Sequence, residues 1–159
     1  MELWRRLSDD ARQAVVTAHN LARNQGCNEI TAEHIGLGIL AHPDCIACAL
    51  IRAMGVDAQH LRDALTEATA GYAMGGPAPL EMEFTATARR CLQMAEVEAR
   101  NEPEWPAGQG GEAVVTTGHL LLGLISPSTE ADLKVLRAHG VFYGEVRALL
   151  RRMRRGGDV

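Results

Sequence analysis

The chain has 159 residues, of which 47% are hydrophobic and 4% aromatic, and it carries a formal net charge of −4. That size fits one domain or two small halves with a shared core, and apolar residues that are mainly aliphatic favour closely packed helices. The acidic balance provides no overall field that attracts nucleic acid. Lys134 is the only lysine and has no glycine-rich frame around it, which excludes a Walker phosphate-binding loop.

The N-terminal segment MELWRRLSDDAR becomes polar at once, and no apolar run reaches the roughly 18 to 20 residues that cross a bilayer. We therefore expect a cytoplasmic protein without a membrane partner. In that compartment the four cysteines are expected to be free thiols rather than a disulfide framework.

The first predicted helix occurs twice. LSDDARQAVVTAHNLA, residues 7–22, aligns with FTATARRCLQMAEVEA, residues 84–99, at an offset of 77. Small apolar residues recur in both copies at a spacing of three and four, the pattern of an amphipathic helix. Ser8 and Thr85 stand where a side-chain oxygen caps the helix N-terminus.

The later helices repeat at an offset of 85. TAEHIGLGIL, residues 31–40, aligns with TTGHLLLGLI, residues 116–125. LIRAMGV, residues 50–56, then aligns with VLRAHGV, residues 135–141, and the glycine in each copy is predicted to end a third helix. A fourth helix follows in each half.

These patterns predict an all-α fold of eight helices in two pseudo-twofold-related four-helix repeats, with no convincing strand. We expect a single domain over residues 1–159, with repeat one at about 4–70, a Gly/Pro linker at 71–83 and repeat two at about 84–155. An inserted loop at 101–115, with two prolines and three glycines, accounts for the larger offset.

The repeated segments resemble the double repeat at the N-terminus of Clp-type AAA+ unfoldases, the Clp N domain, and are most similar to the ClpC type. The resemblance covers about Trp4 to Leu150. It rests on cap-x-x-A-R at each first helix, T-x-E-H-[IL]-x-L-G at the second and G-[IV] before the fourth.

In that family the domain performs no chemistry but captures substrates and adaptor proteins for ATPase rings. The resemblance therefore implies a non-enzymatic, cofactor-free module that binds proteins or peptides. Its implied partners are Clp substrates or adaptors, a Clp ATPase and cyclic peptide natural products. As a free-standing protein it is expected to act as a decoy that protects the Clp ATPase from peptide antibiotics.

The resemblance implies a ligand groove over the first helix of each repeat. Trp4 is a candidate anchor, because large aromatic side chains contribute strongly to binding. Val15 and Leu92 also fit the core stripe of their helices, so both roles remain open for them. The matching positions are Trp4, Arg12, Val15, Val16, His19, Phe84, Arg89, Leu92 and Gln93.

The resemblance also implies phosphoarginine pockets, where the T-x-E-H glutamate pairs with the guanidinium and a helix start holds the phosphate. Glu33 matches that glutamate and Ser8 precedes the first helix, although the two aspartates after Ser8 are expected to repel phosphate. The second copy is altered to Gly118, with Thr85 at its helix start. A phosphoarginine reader through the first repeat is one alternative function. In the other interpretation Glu33 only complements the helix dipole.

The pair Cys45 and Cys48, close to His42, raises a thiol or metal sensor as a second alternative. Buried core thiols are the favoured interpretation, because no paired spacing supplies further metal ligands. His34 and His119 are expected to form hydrogen bonds near helix starts. The arginine-rich segment RALLRRMRR fits the last turns of a helix. No catalytic set appears, so we predict no enzyme, no metal site and no nucleic-acid partner.

Overall fold

The computed structural model describes residues 2–73, 79, 81–101, 113–127 and 133–154. The predicted all-α fold is confirmed, since these residues form nine helices and two very short strands. The remaining residues, which include 102–112 of the predicted inserted loop and 74–78 of the predicted linker, lie outside the described residues. The elements are α1 (Glu2–Arg6), α2 (Asp9–Asn24), β1 (Glu29–Ile30), α3 (Ala32–Leu40), α4 (Ile46–Ala53), α5 (Ala58–Ala70), β2 (Glu83–Phe84), α6 (Ala86–Arg100), α7 (Thr117–Ile125), α8 (Lys134–Ala138) and α9 (Tyr143–Arg154).

Local capping at matched positions explains where the helices begin and end. Ser8 and Thr85 each accept a hydrogen bond from the backbone N–H three residues later, at 3.2 and 3.1 Å. Gly55 and Gly140, just beyond α4 and α8, have φ angles of +72° and +92°. Glycine adopts this left-handed conformation without steric cost, which makes it a frequent helix terminator.

Two parallel pairings correct the expectation that the chain has no strand. Ile30 of β1 lies opposite Phe84 of β2, and an isolated parallel bridge joins Leu7 to Val115. The β1–β2 pairing joins the segment before α3, the second helix of repeat one, to the segment before α6, the first helix of repeat two. The Leu7–Val115 bridge does the converse and joins the segment before α2 to the segment before α7. Two-residue strands produce no alternation that a sequence could reveal.

The centre of the core is formed by α3 and α7. All residues of α7 are buried, as are all residues of α3 except Glu33. The two helices also contact each other, while α3 packs on α2 and α7 packs on α6. No helix within the described ranges is long and apolar enough to span a bilayer.

Candidate functional sites

An apolar groove of about 260 Å³ lies where α1, α2, α6 and the two strands meet. Trp4 and Val16 at this groove remain 39% and 46% exposed. Among the described lining residues, only His19 and Trp4 carry a side-chain nitrogen, so the groove suits aliphatic and aromatic ligand groups. Its lining residues are Leu3, Trp4, Leu7, Val15, Val16, His19, Ile30, Met82, Phe84 and Leu92.

Six of the nine groove residues expected from the sequence line this groove. Val15 and Leu92 are buried as well, and therefore serve both the core and the groove floor. Arg89 and Gln93 are exposed on α6 and do not belong to the lining. Sequence reasoning missed the four lining residues Leu3, Leu7, Ile30 and Met82. The sequence signals for them are the apolar pair Leu3 and Leu7, four residues apart beside Trp4, and the match of Leu7 with Phe84 in the repeat alignment.

Arg12 has a different place from the one expected, because it holds α1 rather than lining the groove. Its Nε donates to the carbonyl oxygen of Trp4 at 3.1 Å, and its Nη2 donates to that of Arg5 at 3.3 Å. The guanidinium carbon lies 5.9 Å from the centroid of the Trp4 ring. The last carbonyls of so short a helix have no partner within the helix. Arg12 therefore positions the helix that carries Trp4.

A second, polar cavity of about 750 Å³ opens beside the first turns of α3 and α6 and the start of α8. Glu33 contributes a negative charge, whereas Arg90 and Lys134 contribute positive charges. The cavity therefore suits a ligand that has both a cationic and an anionic end. Its lining residues are Thr31, Ala32, Glu33, Tyr72, Thr85, Ala86, Thr87, Arg90, Leu133, Lys134 and Val135.

Glu33 lies in a cavity with Thr85 and not with Ser8, which corrects the expected pairing within one repeat. The β1–β2 pairing brings the starts of α3 and α6 together, and the Thr85 N–H donates to the Ile30 carbonyl at 3.0 Å. Ser8 instead donates its N–H to the Val115 carbonyl at 2.9 Å, at the entry to α7. The two aspartates after Ser8 begin α2, whereas the first turn of α6 contains no acidic residue.

The matched position in the second copy, Gly118, is packed into the core. A Cβ atom on Gly118 would lie 3.0 Å from Leu150 Cδ1 and 3.2 Å from Ile46 Cγ2. Side chains of α4 and α9 therefore occupy the space that a glutamate at this position would need. The second copy therefore has no carboxylate at this position and little room for one.

Tyr72, which the sequence did not single out, lies at the wall of the polar cavity. Its hydroxyl donates to Glu33 Oε1 at 3.4 Å. The negative charge of Glu33 and partial burial raise the pKa of Tyr72, so its phenol stays protonated at neutral pH.

The two matched histidines cap helices, as expected from their positions. The Nδ1 atom of His34 accepts the Thr31 N–H at 3.0 Å, and that of His119 accepts the Thr116 N–H at 3.0 Å. Since Nδ1 of His34 is an acceptor, its Nε2 carries the hydrogen and donates to Gln25 Oε1 at 2.9 Å. Burial lowers the pKa of both imidazoles, to about 4 for His119.

Cys45 and Cys48 are 2% and 3% exposed, and their thiols donate to the Ile39 carbonyl at 3.6 and 3.5 Å. The hydrogen bond with Cys45 and burial raise the pKa of Cys48, and the same hydrogen bond lowers the pKa of Cys45 to about 6. His42 hydrogen-bonds with Thr17 Oγ1 at 3.0 Å. Among the described residues, no group of three or more His, Cys, Asp or Glu side chains could hold a metal ion. Their burial and shared carbonyl acceptor fit core thiols.

The chain belongs to the Clp repeat (R) N-terminal domain family, whose model matches residues 6–138. An uncharacterized protein of Mycobacterium tuberculosis is 34% identical over 122 residues, which are 77% of this chain and 44% of that relative. The chloroplastic chaperone protein ClpC of Pisum sativum is 29% identical over 152 residues, 95% of this chain and 15% of that relative. The chain thus spans less than half the length of either relative.

Solved structures share the fold at low sequence identity. The N-domain of ClpV from Vibrio cholerae has a TM-score of 0.77 at 16% identity, over 99% of this chain and 91% of that one. A complex of a ClpV N-domain with VipB peptide has a TM-score of 0.73 at 16% identity, over 99% and 93% of the two chains. At 16% sequence identity, these similarities show a shared fold only.

Proposed function

We propose that this chain is a non-catalytic module that binds proteins and peptides for a Clp chaperone–protease system, in the cytoplasm. The observation that carries the proposal is the open apolar groove with Trp4 and Val16 exposed at its edge. An exposed aromatic anchor beside an apolar cleft is typical of a binding site. The ClpV N-domain in complex with VipB peptide is a protein of the same fold that binds a peptide, which supports the proposal.

The partners we propose are substrates or adaptors of a Clp system, a Clp ATPase and cyclic peptide natural products. A separate chain with such a groove competes with the ATPase for the same ligands. In excess, it lowers the free concentration of a peptide antibiotic. This decoy role needs the groove on a chain separate from the ATPase and makes no use of catalysis.

The groove is tested by calorimetric titration with a cyclic peptide that binds Clp N domains. Trp4→Ala and Phe84→Ala are expected to weaken binding about 10- to 100-fold, because each removes a large apolar contact. Val16→Ala is expected to weaken it less. Val97→Ala is the matched control, since Val97 is an exposed valine of α6 outside the groove. Absence of saturable binding, or an equal effect of Val16→Ala and Val97→Ala, would reject the groove.

A second candidate function, phosphoarginine recognition through Glu33, is favoured by the composition of the polar cavity. The phosphate-repelling aspartates belong to α2, while the first turn of α6 beside Glu33 has no acid. A carboxylate pairs with guanidinium by a forked hydrogen bond, and Arg90 and Lys134 attract phosphate. This cavity therefore supports a reader with one site per chain.

Titration with phosphoarginine is expected to give a stoichiometry of one, with arginine and inorganic phosphate each binding more weakly. Glu33→Gln should remove binding, because it deletes the charge that pairs with the guanidinium. The control Glu29→Gln alters an exposed glutamate of β1 that does not line the cavity and should leave binding unchanged. Two equal sites per chain would contradict the filled position at Gly118.

A further inference from the structure

We propose that Tyr72 regulates the Glu33 cavity: its hydroxyl competes with a ligand guanidinium for the Glu33 carboxylate, while its ring forms the surface against which that guanidinium stacks. This inference rests on the proposed binding of a guanidinium-bearing ligand at Glu33. It assigns to one aromatic residue both a barrier to entry and a contact with the bound ligand.

The contact between the Tyr72 hydroxyl and the Glu33 carboxylate is one that a ligand can replace. Its donor–acceptor distance of 3.4 Å exceeds the roughly 2.5 to 3.0 Å of an ordinary O–H···O hydrogen bond, so the contact is weak. Tyr72 is 44% exposed, so water screens and competes for this contact. A charged ligand that offers a closer, forked interaction can therefore displace the hydroxyl.

The position of Tyr72 is nevertheless built into the fold. Its backbone N–H donates to the Thr69 carbonyl at 3.0 Å, and Thr69 is fully buried. The Thr69 hydroxyl accepts from Gln25 Nε2 at 3.2 Å, and Gln25 Oε1 accepts from His34, the residue after Glu33. A chain of hydrogen bonds thus ties the last turn of α5, two residues before Tyr72, to the first turn of α3, which carries Glu33. These bonds hold Tyr72 where its hydroxyl reaches the Glu33 carboxylate in the empty cavity.

The chemistry of guanidinium explains why both parts of the tyrosine matter. A planar guanidinium forks onto both oxygens of a carboxylate, and one of these, Oε1, accepts from the Tyr72 hydroxyl in the empty cavity. The same planar cation stacks on an aromatic face while it keeps its hydrogen bonds. Removal of the hydroxyl alone therefore favours binding, whereas removal of the ring disfavours it.

The experiment is a calorimetric titration of the whole chain with phosphoarginine, using Tyr72→Phe and Tyr72→Leu. Tyr72→Phe is expected to bind about three- to tenfold more tightly than the parent chain, as expected for loss of one competing hydrogen bond. Tyr72→Leu, which keeps an apolar side chain without a ring, is expected to bind more weakly than Tyr72→Phe by about the same factor. Thermal melts check that both variants are folded.

Tyr143→Phe is the matched control. Tyr143 also donates its hydroxyl to a glutamate, Glu98, but neither residue lines the cavity. This variant is expected to change stability and to leave phosphoarginine affinity unchanged. A tighter affinity for Tyr143→Phe would mean that loss of any tyrosine hydroxyl loosens the fold, and would overturn the competition.

The outcomes separate this proposal from the one on which it rests. If neither the parent chain nor Tyr72→Phe binds phosphoarginine, the Glu33 site is rejected and this inference with it. The same holds if Glu33→Gln leaves phosphoarginine binding intact. Binding that needs Glu33 but is unchanged or weakened by Tyr72→Phe keeps the site and rejects the competition. Equal affinity of Tyr72→Phe and Tyr72→Leu rejects the stacking role of the ring.

Discussion

The imidazoles of His34 and His119 close the starts of α3 and α7 with the same contact, an Nδ1 that accepts a backbone N–H at 3.0 Å. The position usually belongs to a glutamate or glutamine, whose side chain reaches back to the cap in the same way. Here both rings are fully buried, so they fill core volume while they satisfy a backbone donor. A buried neutral imidazole makes the fold sensitive to acid.

Stability is expected to fall as the pH decreases from about 6.5 to about 4, which is the range between the ordinary pKa of histidine and that of His119. In this range the unfolded chain binds a proton that the folded chain does not, so acid favours unfolding. A shift of this size corresponds to about 3 kcal/mol at most from His119. Urea unfolding at a series of pH values measures this loss.

The variant His119→Gln should have a shallower dependence on pH than the parent, because glutamine does not titrate and can still accept the Thr116 N–H. His60→Gln is the control, since His60 is an exposed histidine. An unchanged pH dependence in His119→Gln would show that His119 does not carry the effect.

At the scale of elements, the packing of α3 on α2 and of α7 on α6 depends on one glycine in each pair. A Cβ atom on Gly38 would lie 2.1 Å from the carbonyl oxygen of Ala14, and one on Gly123 would lie 2.2 Å from that of Cys91. Both distances are far below van der Waals contact with an atom of the rigid backbone. The glycine repeated in TAEHIGLGIL and TTGHLLLGLI therefore sets how closely the helices approach.

Gly38→Ala is expected to lower the free energy of unfolding by at least about 2 kcal/mol, because two packed helices must move apart. The matched control is Gly144→Ala in α9, where the added Cβ has no described atom within 4 Å apart from nearby backbone of its own helix. That substitution is expected to stabilise the chain by up to about 1 kcal/mol, since alanine is the better helix former. Chemical denaturation compares the two, and equal effects would show that helix contact at Gly38 is not tight.

Over the whole molecule, the two repeats are joined through buried polar contacts as well as apolar packing. The Ala47 N–H at the start of α4 donates to Thr117 Oγ1 of α7 at 3.0 Å, and both residues are fully buried. The two parallel pairings also connect the halves. We infer that the repeats unfold as one cooperative unit.

Thr117→Val is expected to destabilise the chain by about 1 to 3 kcal/mol, because it leaves the buried Ala47 N–H without its acceptor. The unfolding curve should remain a single transition with a lower midpoint. Thr66→Val serves as control, since the exposed Thr66 hydroxyl only donates to a carbonyl within α5. Two separate transitions in the parent chain would contradict cooperative unfolding of the repeats.

The sequence by itself determined eight of the nine helices in the described residues, because capping residues such as Ser8 and Thr85 and terminators such as Gly55 and Gly140 act on neighbouring backbone groups. The resemblance of the repeats to the Clp N domain indicated six of the groove residues. The five-residue helix α1 was missed, because one turn is too short to have a period.

Only the tertiary structure decided which helix start faces Glu33. The partner is α6 of the other repeat, because β1 pairs with β2 across the two halves. Likewise, Ile46 and Leu150 fill the space beside Gly118 from elements distant in the chain. Such contacts are selected by packing between segments far apart in sequence, and hydrophobic period and capping motifs describe only neighbouring residues.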